Sequence, residues 1–305
     1  MDAAAQPTGL VSQIQHGSTG DGPGLRTTVF LAGCNLRCAW CHNPETQSAR
    51  PRPMLFAARC AGCRICETVC RQGTHVFFDG AHTLDPAKCT GCGACVRLCP
   101  SDALRLSARR MTLPEVLAAV DEDLAFYRAS GGGVTLSGGE PLLQPAFCAA
   151  VATACRERGV SVLLDTAGDV PRASLAQLLP LTDEVYYDLK TADAADCARY
   201  VGGDYDNILA NLRFALERHP AVTVRIPLIP GVSAAPDKLA VMADRLEALG
   251  ARRVSLIPFH RLGGAKYEAI GRSYAYRQTP PLPQEAAEEA ARYFVGRGFA
   301  AALGG

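Results

Sequence analysis

Residues 26–45 read RTTVFLAGCNLRCAWCHNPE. The run Arg26–Leu31 has the β-branched and aromatic character of a strand. Directly after it, Cys34, Cys38 and Cys41 form a Cys-x3-Cys-x2-Cys loop. Three thiolates cannot close a four-iron cluster, which takes four ligands. One iron then stays open, and an open position on iron is where a substrate binds. A zinc site completed by His42 is the alternative reading of the same spacing.

Downstream of residue 106, strand-like runs alternate with helical ones, the pattern of parallel α/β architecture. Thr112 opens a helix through about Arg128, with Glu115 placed for a capping box. Strands are expected at Val134–Leu136, Ser161–Leu164, Glu184–Asp188, Val222–Leu228 and Arg253–Pro258. Helices are expected around Pro145–Arg158, Ala173–Leu179, Asn207–Arg218, Pro236–Leu249 and Pro283–Val295. With Arg26–Leu31 this makes six strands, a partial barrel of the TIM type with an opening wide enough for a large cofactor or a partner. Polar or glycine-bearing residues sit at the C-terminal strand ends: Ser137–Glu140, Asp165–Gly168, Asp188–Lys190, Gly231 and His260. In a parallel barrel that edge is where sites are built.

The stretch from residue 51 to 107 breaks the rhythm and reads as an insert held by metal rather than by a core. It divides the remainder into residues 1–50 and 108–305. The insert carries Cys60-x2-Cys63-x2-Cys66-x3-Cys70 and Cys89-x2-Cys92-x2-Cys95-x3-Cys99-Pro100. The second run has the bacterial two-cluster ferredoxin spacing, in which the fourth cysteine of a run ligates the other cluster. The expected sets are therefore Cys60, Cys63, Cys66 and Cys99 for one cluster, and Cys89, Cys92, Cys95 and Cys70 for the other. Paired zinc ribbons are the alternative. Cys148 and Cys155 lie in an apolar helical stretch and read as buried small hydrophobes.

Fourteen cysteines in a 305-residue chain, eleven of them between Cys34 and Cys99, suggest clustered metal rather than disulfides. The start, MDAAAQPTGL, has neither the basic nor the apolar region of a signal peptide. No apolar run approaches the ~18 residues of a membrane span. A cytoplasmic location is expected. Thirty-one Lys and Arg against thirty Asp and Glu argue against a nucleic-acid binder.

The longer stretch GDGPGLRTTVFLAGCNLRCAWCHNPE, residues 20–45, resembles the radical S-adenosylmethionine (SAM) superfamily and, within it, the activating enzymes of glycyl radical enzymes, in the branch with a two-cluster ferredoxin insert. The resemblance runs to about residue 275. It implies three 4Fe-4S clusters and SAM, which chelates the open iron at Cys34, Cys38 and Cys41 through its amino and carboxylate groups. One electron then cleaves its S–C5′ bond, giving methionine and a 5′-deoxyadenosyl radical that abstracts a hydrogen atom.

Residue by residue, Gly138, Gly139 and Glu140 resemble the motif that holds the SAM amino group. Glycines there let the backbone approach, and the carboxylate accepts from the amine. Asp188-Leu189-Lys190 resembles the motif near the SAM carboxylate. Asp165 matches a position that joins Asp188 around a monovalent cation. Arg225 and His260 match SAM contacts, and Trp40 the aromatic position beside the adenine. A flavodoxin or ferredoxin is the implied electron donor.

Past that motif the chain reads DLKTADAADCARYVGGDYDN, residues 188–207. Cys197, Val201 and Tyr205 stand where many activating enzymes have His, Thr and Asn. Cys197 and Tyr205 are thus candidates for lining a substrate pocket. Two functions follow: hydrogen abstraction from a glycine of a partner enzyme, favoured by the resemblance, or a small-molecule reaction on the same scaffold, such as decarboxylation of a sugar acid or nucleoside. A simple ferredoxin-like electron carrier has no use for the SAM-site residues.

Overall fold

The computed structural model describes residues 6–304. Residues 1–5 and 305, where the first and last expected segments begin and end, lie outside the described residues, as does the first half of the leader reading. In chain order, the strands β1 (Thr8–Ser18) and β2 (Arg26–Leu31) precede the insert, which holds β3 (Pro53–Leu55), β4 (His75–Phe78), β5 (Ala81–Leu84) and β6 (Leu104–Leu106). After it come β7 (Arg109–Thr112), β8 (Gly133–Gly138), β9 (Ser161–Thr166), β10 (Glu184–Asp188), β11 (Val222–Leu228), β12 (Arg253–Pro258) and β13 (Ala300–Leu303).

Nine of these form one sheet in the order β13-β12-β11-β10-β9-β8-β2-β1-β7. The six strands expected from the sequence lie side by side and run parallel. Sequence reasoning missed three more. β13 adds a parallel strand beyond the last helix, Gln284–Gly296. β1 pairs antiparallel with β2, and β7 antiparallel with β1. Ala300–Leu303 is alanine-rich and weak in strand propensity. It is extended because it pairs with β12, a tertiary cause that local pattern cannot reveal.

Strands buried in parallel sheets usually read as continuous apolar runs. Here β11 alternates instead: Val222, Val224, Ile226 and Leu228 are buried, while Thr223, Arg225 and Pro227 are half-buried. With a period of two, the apolar set packs under the helices and the other set faces inward. Strand β10 repeats this, with Val185 and Tyr187 in the core and Tyr186 and Asp188 on the inner face. The inner face thus carries polar groups toward the strand ends, while helices Pro145–Glu157, Arg172–Leu178, Tyr205–Arg218 and Pro236–Ala248 supply buried apolar residues to the core.

The capping box at Thr112 and Glu115 is present. The expected helix to Arg128 is nevertheless two helices, Leu113–Glu122 and Leu124–Ser130, meeting at Asp123. Its side chain is buried and accepts from Thr27 of β2 and pairs with His16 of β1. Satisfying that buried carboxylate outweighs one turn of helical continuity.

Within the insert, β3 pairs with β6 at its base, and β4 and β5 form a hairpin. The hairpin turns at Asp79 and Gly80, both at positive φ, as a two-residue I′ turn requires. The insert's own core cluster is small, made of Leu55, Cys66, Ala103 and Leu104. Left-handed residues at Gly62 and Arg64 in the first half match Gly91 and Gly93 in the second, each flanking the second cysteine of its run. The two halves are structural repeats.

Replacing Thr112 with Ala removes the acceptor for the Glu115 backbone N–H and unbalances the capping box. We expect a loss of about 0.5–2 kcal/mol in stability, read from anaerobic denaturant unfolding.

Candidate active site

The C-terminal ends of all six central strands line one cavity of about 330 Å³. Cys34, Cys38 and Cys41 form part of its wall, as do Trp40, Gly138, Gly139, Asp165, Asp188, Lys190 and Arg225. The cysteine loop is pinned by backbone hydrogen bonds from Arg37 to Val201 and from Ala39 to Tyr200, and by Gly33 to Thr46. Burial pushes the Cys34 thiol up to about 11 and Cys38 up to about 12, and raises Cys41 as well. Without a metal the three sulfurs keep their protons; a bound metal must displace them.

Opposite the thiols is a set of charges. Arg225 Nε donates to Asp188 Oδ1 at 2.9 Å, and its guanidinium also donates to Asp165. Lys190 Nζ donates to Asp188 Oδ2 at 2.6 Å, and Ser137 Oγ to Asp165 Oδ2 at 2.7 Å. Burial opposes ionisation of Asp188, but Arg225 and Lys190 outweigh it and bring the carboxyl down to about 2. Burial dominates at Asp165, whose pKa is raised despite Arg225. Burial alone would lower Lys190, but Asp188 and the sulfur of Cys38 outweigh it and raise the amine. The site thus pairs two cations, Lys190 and Arg225, with the carboxyl groups of Asp188 and Asp165.

Glu140 does not line the cavity, contrary to the expectation that its carboxylate meets an amine. It is buried and accepts from Thr166 Oγ1 at 2.8 Å, Ala167 N–H at 2.9 Å and Leu142 N–H at 3.1 Å. It fastens the β8 end to the β9 end. Gly138 and Gly139 do face the cavity: a Cβ at Gly139 would lie 2.3 Å from the Gly33 carbonyl oxygen, so only glycine lets the two loops meet.

His260 lies outside the lining, stacked on His42 at 4.1 Å between ring centroids. Burial and the neighbouring His260 bring His42 down to about 4, and its Nε2 lies 3.1 Å from the His260 carbonyl oxygen. Trp40 is buried edge-to-face against Tyr276.

Cys197 and Tyr205 are a correction. Both are buried away from the cavity. The Cys197 thiol donates to the Gly203 carbonyl, and the Tyr205 hydroxyl donates to the Ala192 carbonyl at 2.6 Å with Arg245 over the ring. They hold the loop after β10 from behind rather than lining a pocket.

Sequence reasoning missed Lys266, whose Nζ donates to Asn43 Oδ1 at 2.6 Å and Glu45 Oε1 at 2.7 Å. It ties the segment after β12 to the end of the cysteine loop. Asn43 and Glu45 stood in the motif, but nothing local pointed to a partner more than two hundred residues away.

In the insert, Cys60, Cys63, Cys66 and Cys99 surround one small cavity, and Cys70, Cys89, Cys92 and Cys95 surround another. Each cavity takes three cysteines from one repeat and the fourth from the other.

Residues 28–243 match the Radical SAM superfamily. The chain is 37% identical to the benzylsuccinate synthase activating enzyme of Thauera aromatica, over 97% of this chain and 92% of that protein. It is 34% identical to the trans-4-hydroxy-L-proline dehydratase activating enzyme of Clostridioides difficile, over 97% and 99%. It is 39% identical to an isethionate sulfite-lyase activating enzyme of Nitratidesulfovibrio vulgaris, over 88% and 90%. In fold, it resembles a radical SAM methyltransferase from Sphaerobacter thermophilus, with a TM-score of 0.55 at 14% identity, covering 96% of this chain and 76% of that one.

Glu140→Gln sets an amide NH2 against the N–H groups that the carboxylate now accepts from. At pH 8 we expect a loss of about 1–3 kcal/mol in anaerobic unfolding. Burial pushes the Glu140 carboxyl up to about 7 from its ordinary 4.5. The folded chain therefore holds an extra proton between those values, and this group's contribution to stability falls as pH rises through that window. The Gln variant lacks that slope.

Proposed function

Because the chain belongs to the radical SAM superfamily, and within it to the activating enzymes of glycyl radical enzymes, we infer that it cleaves SAM reductively and takes a hydrogen atom from a glycine of a partner enzyme. The observation that carries this reading is the meeting, in one cavity, of three cysteine thiols with the Asp165–Arg225–Asp188–Lys190 charge set.

The donor set fits the cluster. Three sulfurs from one short loop suit a four-iron cluster with one iron left for a ligand. When bound, that cluster supplies the electron that breaks the S–C5′ bond of SAM. The residues do the rest by binding and orienting. Lys190 and Arg225 hold positive charge where a carboxylate enters. Gly138 and Gly139 leave room for the methionine backbone. Trp40 offers an aromatic wall to the adenine, backed edge-on by Tyr276. Arg225 stands between Asp165 and Asp188, so its guanidinium serves the neutralising role that the resemblance gave to a monovalent cation.

The insert is read as a ferredoxin-like domain with two 4Fe-4S clusters, bringing the total to three. Two cavities each ringed by four cysteines, crossed between the repeats, support it. Its role is to pass electrons from a flavodoxin or ferredoxin toward the SAM cluster. A small-molecule reaction has lost its motive, since Cys197 and Tyr205 belong to the core. Among the described residues, no helix is long and apolar enough to cross a membrane.

Anaerobically reconstituted protein is expected to hold about twelve irons, and the triple change of Cys34, Cys38 and Cys41 to Ala to remove about four of them and all SAM cleavage. Retained cleavage in that variant defeats the assignment. Incubation of the reduced enzyme and SAM with a co-encoded glycyl radical enzyme should give a glycyl radical by electron paramagnetic resonance. Deuterium passing from a labelled small molecule into 5′-deoxyadenosine, with no partner present, points to the other class of reaction.

A further inference from the structure

Two histidines of the insert hairpin are not used by anything described so far. His82 of β5 lies against the cavity ringed by Cys60, Cys63, Cys66 and Cys99. Its Nδ1 is 3.4 Å from Cys60 Sγ, and its Nε2 is 3.9 Å from Cys66 Sγ and 3.0 Å from Nδ1 of His75. The ring stacks on Phe77 at 4.2 Å with an interplanar angle of 10°, and Arg64 lies over that phenylalanine. His75 is buried, and among the described residues its Nε2 has no partner.

Hydrogen-bonding arithmetic assigns the protons. Cysteines holding a cluster are thiolates, which accept but cannot donate. The contact at Cys60 then needs a proton on His82 Nδ1. A neutral ring with its proton there has Nε2 free to accept, and the only neighbour placed to donate is His75 Nδ1. That leaves His75 Nε2 as an unprotonated acceptor, so no buried N–H is orphaned, the costlier of the two outcomes. The pair is a one-way relay ending on sulfur.

We propose that His82 is a tuning residue of the insert: its Nδ1–H donates to the Cys60 thiolate and holds the potential of that cluster above the value it would have without the bond. Reduction adds negative charge to the cluster, and a hydrogen bond to its sulfur stabilises the reduced state more than the oxidised one. The other cavity is served differently. There Cys70 and Cys89 accept from the backbone N–H groups of Thr74 and Gly91. The two repeats thus share a backbone plan but differ in their side-chain donors, since the first cavity has His82 at Cys60 and also the Ser101 hydroxyl 3.7 Å from Cys99 Sγ, which sets their clusters apart as successive steps of an electron path. This inference rests on the reading of the insert as a two-cluster domain.

The test uses the full-length chain carrying the Cys34, Cys38 and Cys41 to Ala changes, so that only insert clusters remain, followed by an anaerobic redox titration with electron paramagnetic resonance. His82→Phe keeps the ring on Phe77 and removes both nitrogens. His82→Asn keeps an N–H near the Nδ1 position. The midpoint of one insert cluster should move to lower potential in the Phe variant and return toward the parent value in the Asn variant, with the second cluster unmoved. Unmoved midpoints at full iron loading overturn the proposal. Independently of any change at position 82, pulsed resonance on protein grown with isotopically labelled histidine should show weak nitrogen coupling to one insert cluster. No coupling, coupling strong enough for a ligand, or one zinc on Cys66, His75 and His82 in place of iron, each overturns it. Absence of iron from the insert is seen in the metal analysis before any potential is measured, and it defeats the two-cluster reading itself.

Discussion

Arg225 sits half-buried between Asp165 and Asp188, and so joins three neighbouring parallel strands, β9, β10 and β11, at their C-terminal ends. Neither carboxylate is tolerable there alone, because a buried unpaired charge is strongly penalised. A buried ion pair contributes little net stability once desolvation is counted, so its value lies in position rather than in holding the sheet together. Here it stations charged groups in the same cavity as the three thiols. Lys190 joins the same set through Asp188, and it is also drawn toward the sulfur of Cys38.

Around that centre, the other polar groups are locks rather than reagents. Glu140 accepts three hydrogen bonds and ties the β8 loop to the β9 loop, which frees Gly138 and Gly139 to offer backbone alone. Lys266 ties the segment beyond β12 to Asn43 and Glu45, closing the chain across the cavity from its first strand loop to its last. Asn211 holds the carbonyls of Gly168 and Val170 from the helix after β10, fixing the β9 loop from its far side. A site that must receive a bulky cofactor, and then a glycine presented by another protein, needs walls that do not move when charge moves within them.

The insert follows a different economy. Its core cluster of four residues is too small to stabilise some fifty residues of chain. The repeat in its left-handed residues shows how narrow the constraint is: each cysteine run must turn back on itself at the same two points for its sulfurs to converge. Arg64 adopts at positive φ the conformation that Gly93 adopts more cheaply in the other half. The strain at Arg64 is offset in part by its paired contact to Glu67 at 2.7 Å.

Cysteine spacing and strand periodicity are properties of neighbouring residues, and so the sequence by itself determined the six parallel strands. It also determined the family, because the motif around Cys34, Cys38 and Cys41 is contiguous. What only the tertiary structure decided involves partners distant along the chain. The break at Asp123 depends on Thr27 and His16; β13 exists because β12 offers it an edge; Lys266 finds Glu45 across the cavity. The same is true of direction. A carboxylate or thiol in a motif can face a ligand or face the protein, and the residue type is identical in both cases. Glu140, Cys197 and Tyr205 face the protein, because donors or carbonyls fixed by the fold were there to satisfy them, and a buried polar group takes the partner that burial leaves within reach.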